Sequence, residues 1–417
     1  MVDGLFLHQT RHAAGIVISS RPLAGVFPVI RDRKDIEMPL SAYDMKGVEK
    51  VGAVKFDFLG LSNLSVIGDT LRLLRQDGYQ VEMPEDYDDP AVFSTIRSGM
   101  TIGIFQLGGR GMVKAIQQIR PDSFAEISAI SALYRPGPMK YIESFALRKL
   151  GKEEIAYPLA GCCAPDFVPE APLQLAIDLV ANDLPPDVLA RLRQVRQIAH
   201  LYRADGTILA NALMARGEPV VPAAPCVGDK VRTLLSETNG YFVYQEQIMI
   251  AALIVAGFTY AEADIFRRAI GKKEHATIIK LKSSFVEGCM RNSVPREEAE
   301  GLFSDFEKFA DYGFNKSHAI AYSMISYQTA WLKTYYPDYF YAAVLVDKRG
   351  DKTGIAAILD EMSLYGVGFA LPDVNASCIE ARAVGAGMGM ARDDGYCLLG
   401  GLGDIVGLGE SAAMTIM

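Results

Sequence analysis

Residues 315–337 read NKSHAIAYSMISYQTAWLKTYYP. Ile320, Met324, Tyr327, Trp331 and Tyr335 follow one another in steps of three and four, the period of one helical face. Ser317 is a candidate N-cap and Pro337 stops the pattern. The stripe reads as core packing. Outward from it, helical patterning runs from Glu246 to Val346. The apolar run Ile248 to Phe258 reads as a buried helix, since spanning a bilayer takes roughly 20 residues.

Upstream, Leu64 to Leu74 reads as a helix, and the text stays helical between loops to about Lys149. Arg135-Pro136-Gly137-Pro138 must turn or extend, because two prolines this close forbid helix. The first 60 residues differ. Gly15-Ile16-Val17-Ile18-Ser19 reads as a buried strand, and Val51 to Leu59 as a second. The expected fold class is therefore mainly α with a small β component (α+β). Residues 159–233 are rich in Ala, Pro, Leu and Val, with one amphipathic stretch, Pro186 to Tyr202, and a linker-like Pro219 to Pro225. They read as an inserted subdomain or as an irregular part of the surrounding domain. The tail from Ala383 is Gly-rich and less regular.

Composition narrows the class. A chain of 417 residues, half hydrophobic and 22% charged, buries a large core and is not disordered. The six cysteines are too few for a disulfide scaffold and lack zinc-ligand spacing: Cys162 and Cys163 are adjacent, and Cys226, Cys289, Cys378 and Cys397 are isolated. A reducing compartment fits. Met1 to Gln9 has no basic stretch ahead of an apolar run, so a cytoplasmic location with no membrane contact is expected. With 42 basic against 50 acidic residues, a net charge of −8 excludes a generally basic nucleic-acid coat and leaves room for a local basic groove.

Three stretches could carry chemistry. In Val54-Lys55-Phe56-Asp57-Phe58 the alternation puts Val54, Phe56 and Phe58 toward a core and Lys55 and Asp57 on the opposite face. Asp57 there is either a ligand for a hard cation such as Mg²⁺ or half of a solvated Lys–Asp pair. Arg267, Arg268, Lys272, Lys273, Lys280 and Lys282 fall within sixteen residues, opposed by Glu274. That run is either a phosphate site or a solvated face. Arg268 and Lys272 share a helical face, and Gly271 loosens or ends the helix. Lys316 and His318 stand where a helix begins and offers N–H groups to an anion; an ordinary cap is the alternative.

Read together, these stretches resemble one family, the catalytic alpha subunit of bacterial DNA polymerase III. His12-Ala13-Ala14-Gly15-Ile16-Val17-Ile18-Ser19 and Lys55-Phe56-Asp57-Phe58-Leu59-Gly60-Leu61 carry the resemblance first. Phe105-Gln106-Leu107 with Arg110-Gly111-Met112 follows, then Ala132-Leu133-Tyr134-Arg135-Pro136-Gly137-Pro138 and Tyr244-Gln245-Glu246-Gln247. Arg267-Arg268-Ala269-Ile270-Gly271-Lys272-Lys273 comes next. Lys308-Phe309-Ala310 with Tyr312-Gly313-Phe314-Asn315-Lys316-Ser317-His318-Ala319, and Pro372-Asp373-Val374-Asn375, complete the series in register.

The resemblance implies a palm remnant over residues 1–60 and fingers over 61–158 and 234–417, with 159–233 inserted. It implies DNA-directed DNA synthesis: a primer 3′-oxygen attacks a dNTP, with two Mg²⁺ ions in the complete site. In this reading Asp57 is one of three metal-binding carboxylates, with Lys55 beside it. Arg267, Arg268, Lys272, Lys273, Lys316 and His318 face the triphosphate. Partners would be primer–template DNA, dNTPs and other replisome subunits.

The sequence departs from the family pattern in places. The two other metal-binding aspartates of the family stand in a Pro-Asp-x-Asp-x-Asp-Phe type motif absent here; Pro165-Asp166-Phe167 is a superficial echo. Gly108-Gly109 stands where the family usually has Glu-Ser, and Glu274 where a third Lys is common. The expectation is a chain inactive alone, completed by an upstream polypeptide that supplies the missing aspartates. The alternatives are a non-catalytic DNA- or nucleotide-binding fingers module, or a truncated gene product.

Overall fold

The computed structural model of the chain describes residues 12, 14–31, 39–159, 226–272, 275–310, 312–384, 397–405 and 407–417. The Pro186 to Tyr202 stretch, Cys162, Cys163, Lys273 and Glu274 lie outside the described residues. The chain divides into two compact units, Met1–Ser62 and Asn63–Met417.

The first unit holds strands β1 (Gly15–Ile18), β2 (Val29–Arg31) and β3 (Pro39–Ser41), helix α1 (Met45–Lys50) and strand β4 (Val54–Asp57). β1 pairs antiparallel with β4, in the register Gly15 opposite Asp57 and Val17 opposite Lys55, and β2 pairs with β3. A small core forms from Phe27, Val48 and Ala53, with Val17, Leu23 and Val26 against it. Asp44 caps α1 by accepting the Gly47 N–H at 2.8 Å. The expected core face is not covered. Val54, Phe56 and Phe58 share a side as the alternation requires, but they are 53%, 48% and 64% exposed. Ile16 and Ile18 lie on the same exposed side. A two-stranded sheet has two faces, and the Phe27 cluster covers one, so β1 is half-buried, not fully buried as its apolar run suggests.

The second unit is helical. Its elements are α2 (Ser62–Gln76), α3 (Pro90–Ser98), α4 (Arg110–Ile119), α5 (Phe124–Leu133), α6 (Ile142–Lys149), α7 (Val227–Ser236) and α8 (Gln245–Ala256). Then come α9 (Tyr260–Lys272), α10 (His275–Arg291), α11 (Arg296–Ala310), α12 (Lys316–Tyr335), α13 (Pro337–Asp347) and α14 (Lys352–Tyr365). Strands β5 (Gly368–Ala370), β6 (Arg382–Ala383) and β7 (Cys397–Leu399) form a sheet in the order β5-β7-β6, and α15 (Glu410–Ile416) follows. The architecture is mainly α with a small β component.

The stripe on α12 carries much of the packing. Tyr327 is fully buried against Tyr87, Phe93 and Phe124, and Ile320, Met324 and Trp331 lie against the same core. Tyr335 departs from the pattern: its ring is exposed and its hydroxyl donates to Asp89 at 2.5 Å. The helix start departs too. Asn315, not Ser317, is the N-cap and accepts the His318 N–H at 2.8 Å. An amide oxygen at that position reaches the third helical N–H as well as a hydroxyl does, so local sequence left the choice open. Pro337 both ends α12 and opens α13, where its missing N–H costs nothing.

The second core belongs to α7 through α11. Phe266, Phe285, Phe303 and Phe306 are fully buried and meet in edge-on and stacked pairs. Gly288 lets α10 close on α8, because a Cβ there would stand 2.1 Å from the Ala256 carbonyl oxygen. The expected buried helix at Ile248 to Phe258 forms but stops at Ala256: Gly257 caps it at φ +67°, and Phe258 lies beyond the helix. Among the described residues no helix is long and apolar enough to cross a membrane.

Candidate functional site

In the first unit, β4 aims Lys55 and Asp57 to the side that faces Gly15. Lys55 Nζ donates to Asp57 Oδ1 at 2.5 Å, and His12 Nδ1 lies 3.6 Å from the same oxygen. Nδ1 already accepts the Ala14 N–H at 3.2 Å. The ammonium hydrogen bond holds the Asp57 carboxyl below the usual aspartate range. Gly15 makes the cluster possible. A Cβ at that position would stand 2.8 Å from Lys55 Cε, 3.1 Å from His12 Nδ1 and 3.2 Å from Asp57 Oδ1.

A hard divalent cation takes six or more oxygen ligands. Asp57 offers a carboxylate already engaged by an ammonium. Among the described residues no group of three or more His, Cys, Asp or Glu is placed to hold a metal. These residues do not by themselves make a two-ion site.

In the second unit, segments far apart in sequence meet around the start of α8. The Gln245 N–H donates to the Phe314 carbonyl at 2.9 Å, and the Phe314 N–H donates to Val243 at 3.0 Å. Gln245 Nε2 donates to the Gly313 carbonyl at 3.2 Å, while its Oε1 accepts Arg267 Nη1 at 3.0 Å. Glu246 accepts Asn315 Nδ2 at 2.8 Å and the Lys316 N–H at 2.9 Å. Gln247 turns back to accept the Val243 and Tyr244 N–H groups and closes the cap of α8.

The 132–138 turn joins them. Arg135 donates to the Tyr312 carbonyl at 2.7 Å, and its guanidinium lies 4.3 Å from the centre of the Phe314 ring. Gly137, at φ +105°, leaves room for Tyr312: a Cβ would stand 2.2 Å from that ring. Phe105 packs its ring on Tyr322, and Tyr322 stacks on His318 with centroids 4.0 Å apart.

The cations are not bare. Asp264 accepts Arg267 Nη2 at 2.7 Å and Nε at 3.2 Å on one oxygen, and Arg268 Nη2 on the other. Both guanidinium groups hold its carboxyl below the usual range, that of Arg267 most. Lys316 Nζ bonds both oxygens of Glu237, at 2.6 and 2.8 Å, with the Tyr244 ring centre 5.5 Å away. His318 keeps an exposed ring at the mouth of α12. Arg267 is tied to Gln245 at the start of α8, the Lys316 backbone to Glu246 of the same turn, and His318 to Phe314 and Tyr322, with Arg268 beside Arg267 on Asp264. Lys272 lies in the last turn of α9, and nothing is described of its side chain; Lys273 is outside the described residues.

Gln245, Glu246, Asp264 and Glu237 were not among the candidates read from sequence. Asp264 lies three and four residues before the two arginines, the spacing of a helical ion pair, and that signal was available. The hydrogen bonds of Gln245 and Glu246 span 22 to 70 residues and leave no local trace.

Comparison of the sequence with known proteins points to one family. The family model described as the bacterial DNA polymerase III alpha subunit finger domain matches residues 63–164 and 196–293. The one described as the bacterial DNA polymerase III alpha NTPase domain matches residues 1–60. The chain is similar to the DNA polymerase III subunit alpha of Thermus aquaticus, 34% identical over the whole chain and 28% of that protein. It is similarly related to that of Deinococcus radiodurans, 34% identical over the whole chain and 26% of that protein. With that of Aquifex aeolicus the figures are 33%, the whole chain and 29%. The chain thus spans well under a third of the length of these relatives.

Proposed function

The chain belongs to the bacterial DNA polymerase III alpha subunit family, and from that premise we propose that it supplies the end of the palm and the fingers of a DNA-directed DNA polymerase. Residues 1–60 are the palm part, with Asp57 as one metal-facing carboxylate and Lys55 as its neighbour. The second unit is the fingers, which orient the triphosphate of a dNTP opposite the template base. Replication in the cytoplasm, with primer–template DNA and further replisome subunits as partners, follows from the family.

One observation carries the reading: four motif segments, 132–138, 244–247, 267–268 and 312–318, are hydrogen-bonded into a single constellation around Gln245. Nothing in core packing alone calls for segments that carry two arginines, a lysine and a histidine to be tied to one helix start. Arginine forks and a lysine bind phosphate oxygens and align them for in-line displacement. The other metal ligands have to come from residues beyond those described. Among the described residues Asp57 is the one carboxylate paired with Lys55, which favours a second reading, a fingers module that grips DNA and nucleotide without chemistry.

The test is a chimera in which this chain replaces the matching stretch of the Thermus aquaticus relative, assayed for primer extension. Extension is expected, and Asp57→Asn in the chimera lowers it by about a thousandfold or more, as loss of transition-state charge stabilisation does. A folded chimera that binds primer–template and extends nothing would leave the binding-module reading.

A further inference from the structure

The fingers constellation holds two arginines that look alike in sequence and differ in their surroundings. All three nitrogens of the Arg267 fork are engaged: Nε and Nη2 by Asp264, Nη1 by Gln245, itself tied to the Gly313 carbonyl. Its side chain is 29% exposed. Arg268 has one described tie, to the second oxygen of Asp264, and its side chain is 57% exposed. Asp264 therefore neutralises part of the charge on the surface a phosphate would approach. The three groups sum to +1, and without the carboxylate they would sum to +2.

We infer that Asp264 is a built-in counter-anion whose place on Arg268 an incoming phosphate takes, that Arg268 is the phosphate hook, and that Arg267 is a positioning residue fixed between Asp264 and Gln245. This rests on the triphosphate reading of the fingers. A guanidinium prefers a paired oxyanion to water, so Arg268 stays parked on the helix when the site is empty. The phosphate competes with the carboxylate for the same N–H groups, and affinity is held down by that competition. Exchange of one oxyanion for another needs no movement of α9, because Gln245 keeps Arg267 in place throughout. A merely structural i,i+3 and i,i+4 ion pair predicts something else: a small gain in helix stability and no effect on ligand affinity.

The experiment titrates the 417-residue chain, bound to a primer–template whose next template base is T, with a fluorescent dATP at two salt concentrations. Asp264→Asn is expected to tighten dATP binding about fivefold at low salt, the effect of removing one partly screened charge interaction. The tightening shrinks at the higher salt. In an Arg268→Ala background the same substitution should change affinity by less than about twofold, because the hook is gone. Glu262→Gln removes the same charge from the same helix, where the carboxylate only caps Thr259, and should also stay within about twofold. Asp264→Ser stands in if the asparagine form does not fold. Unchanged or weaker binding by Asp264→Asn, or equal tightening by Glu262→Gln, overturns the inference. No saturable dATP binding by the unsubstituted chain overturns the fingers reading itself, a different result.

Discussion

At the residue scale, Gly15 decides whether Lys55 can reach Asp57. A methyl group there meets the far end of a flexible lysine, at 2.8 Å, so it displaces the ammonium while leaving the strand intact. Gly15→Ala should therefore leave thermal stability close to that of the parent and raise the Asp57 pKa toward its ordinary value near 3.8. The sign follows from the pair. A carboxyl held low by an ammonium contributes stability above its unfolded pKa and loses that contribution as pH falls through the folded one. Carboxyl carbon chemical shifts followed through an acid titration check this. An Asp57 titration unchanged by Gly15→Ala would show that Lys55 does not set it. The i,i+2 pairing of Lys55 and Asp57 was legible from the alternation of one strand. The need for Gly15 was not, because it comes from the strand opposite, 42 positions away (57 − 15).

At the element scale, α12 was legible as a helix and its partners were not. A step of three and four names a face but says nothing of what covers it. Lys333 on α12 shows the limit. Nothing in the neighbouring sequence marks it as buried, yet its side chain is fully buried, bonded to Glu361 of α14 at 2.5 Å and to the Ile102 carbonyl at 2.9 Å. Glu361 also accepts the Tyr341 hydroxyl at 2.9 Å and the Ile102 N–H at 3.2 Å. Burial pulls the Lys333 pKa down to about 8, against the pull of Glu361. The pair joins α12, α13, α14 and the 102 loop by charge that the core cannot otherwise dissolve. Glu361→Gln should cost about 3 kcal/mol of unfolding free energy, since it leaves an uncompensated buried ammonium. Lys333→Met/Glu361→Gln should recover most of that. Chemical denaturation curves measure both; a double variant no more stable than the single one would contradict the account. The strands show the converse limit. Alternation placed Val54, Phe56 and Phe58 on one side correctly but could not show that the side lies open.

At the scale of the whole molecule, net charge is a poor guide to local charge. The net charge of −8 says nothing of the 244–247, 267–268 and 312–318 segments, which meet only after folding. Their motifs were legible as motifs, and their convergence on Gln245 was not, because contacts spanning up to 70 residues are written in no window of the sequence. We propose that this constellation binds the triphosphate of a dNTP opposite a templating base. Fluorescence anisotropy of a labelled primer–template, titrated with the chain at low and moderate salt, with and without Mg²⁺ and the next correct dNTP, tests it most directly. Binding should weaken with salt as phosphate contacts are displaced. It should tighten with the correct dNTP, and Arg267→Ala/Arg268→Ala should abolish that tightening. Binding that ignores both salt and dNTP, or a double variant that responds to dNTP as the parent does, would contradict it.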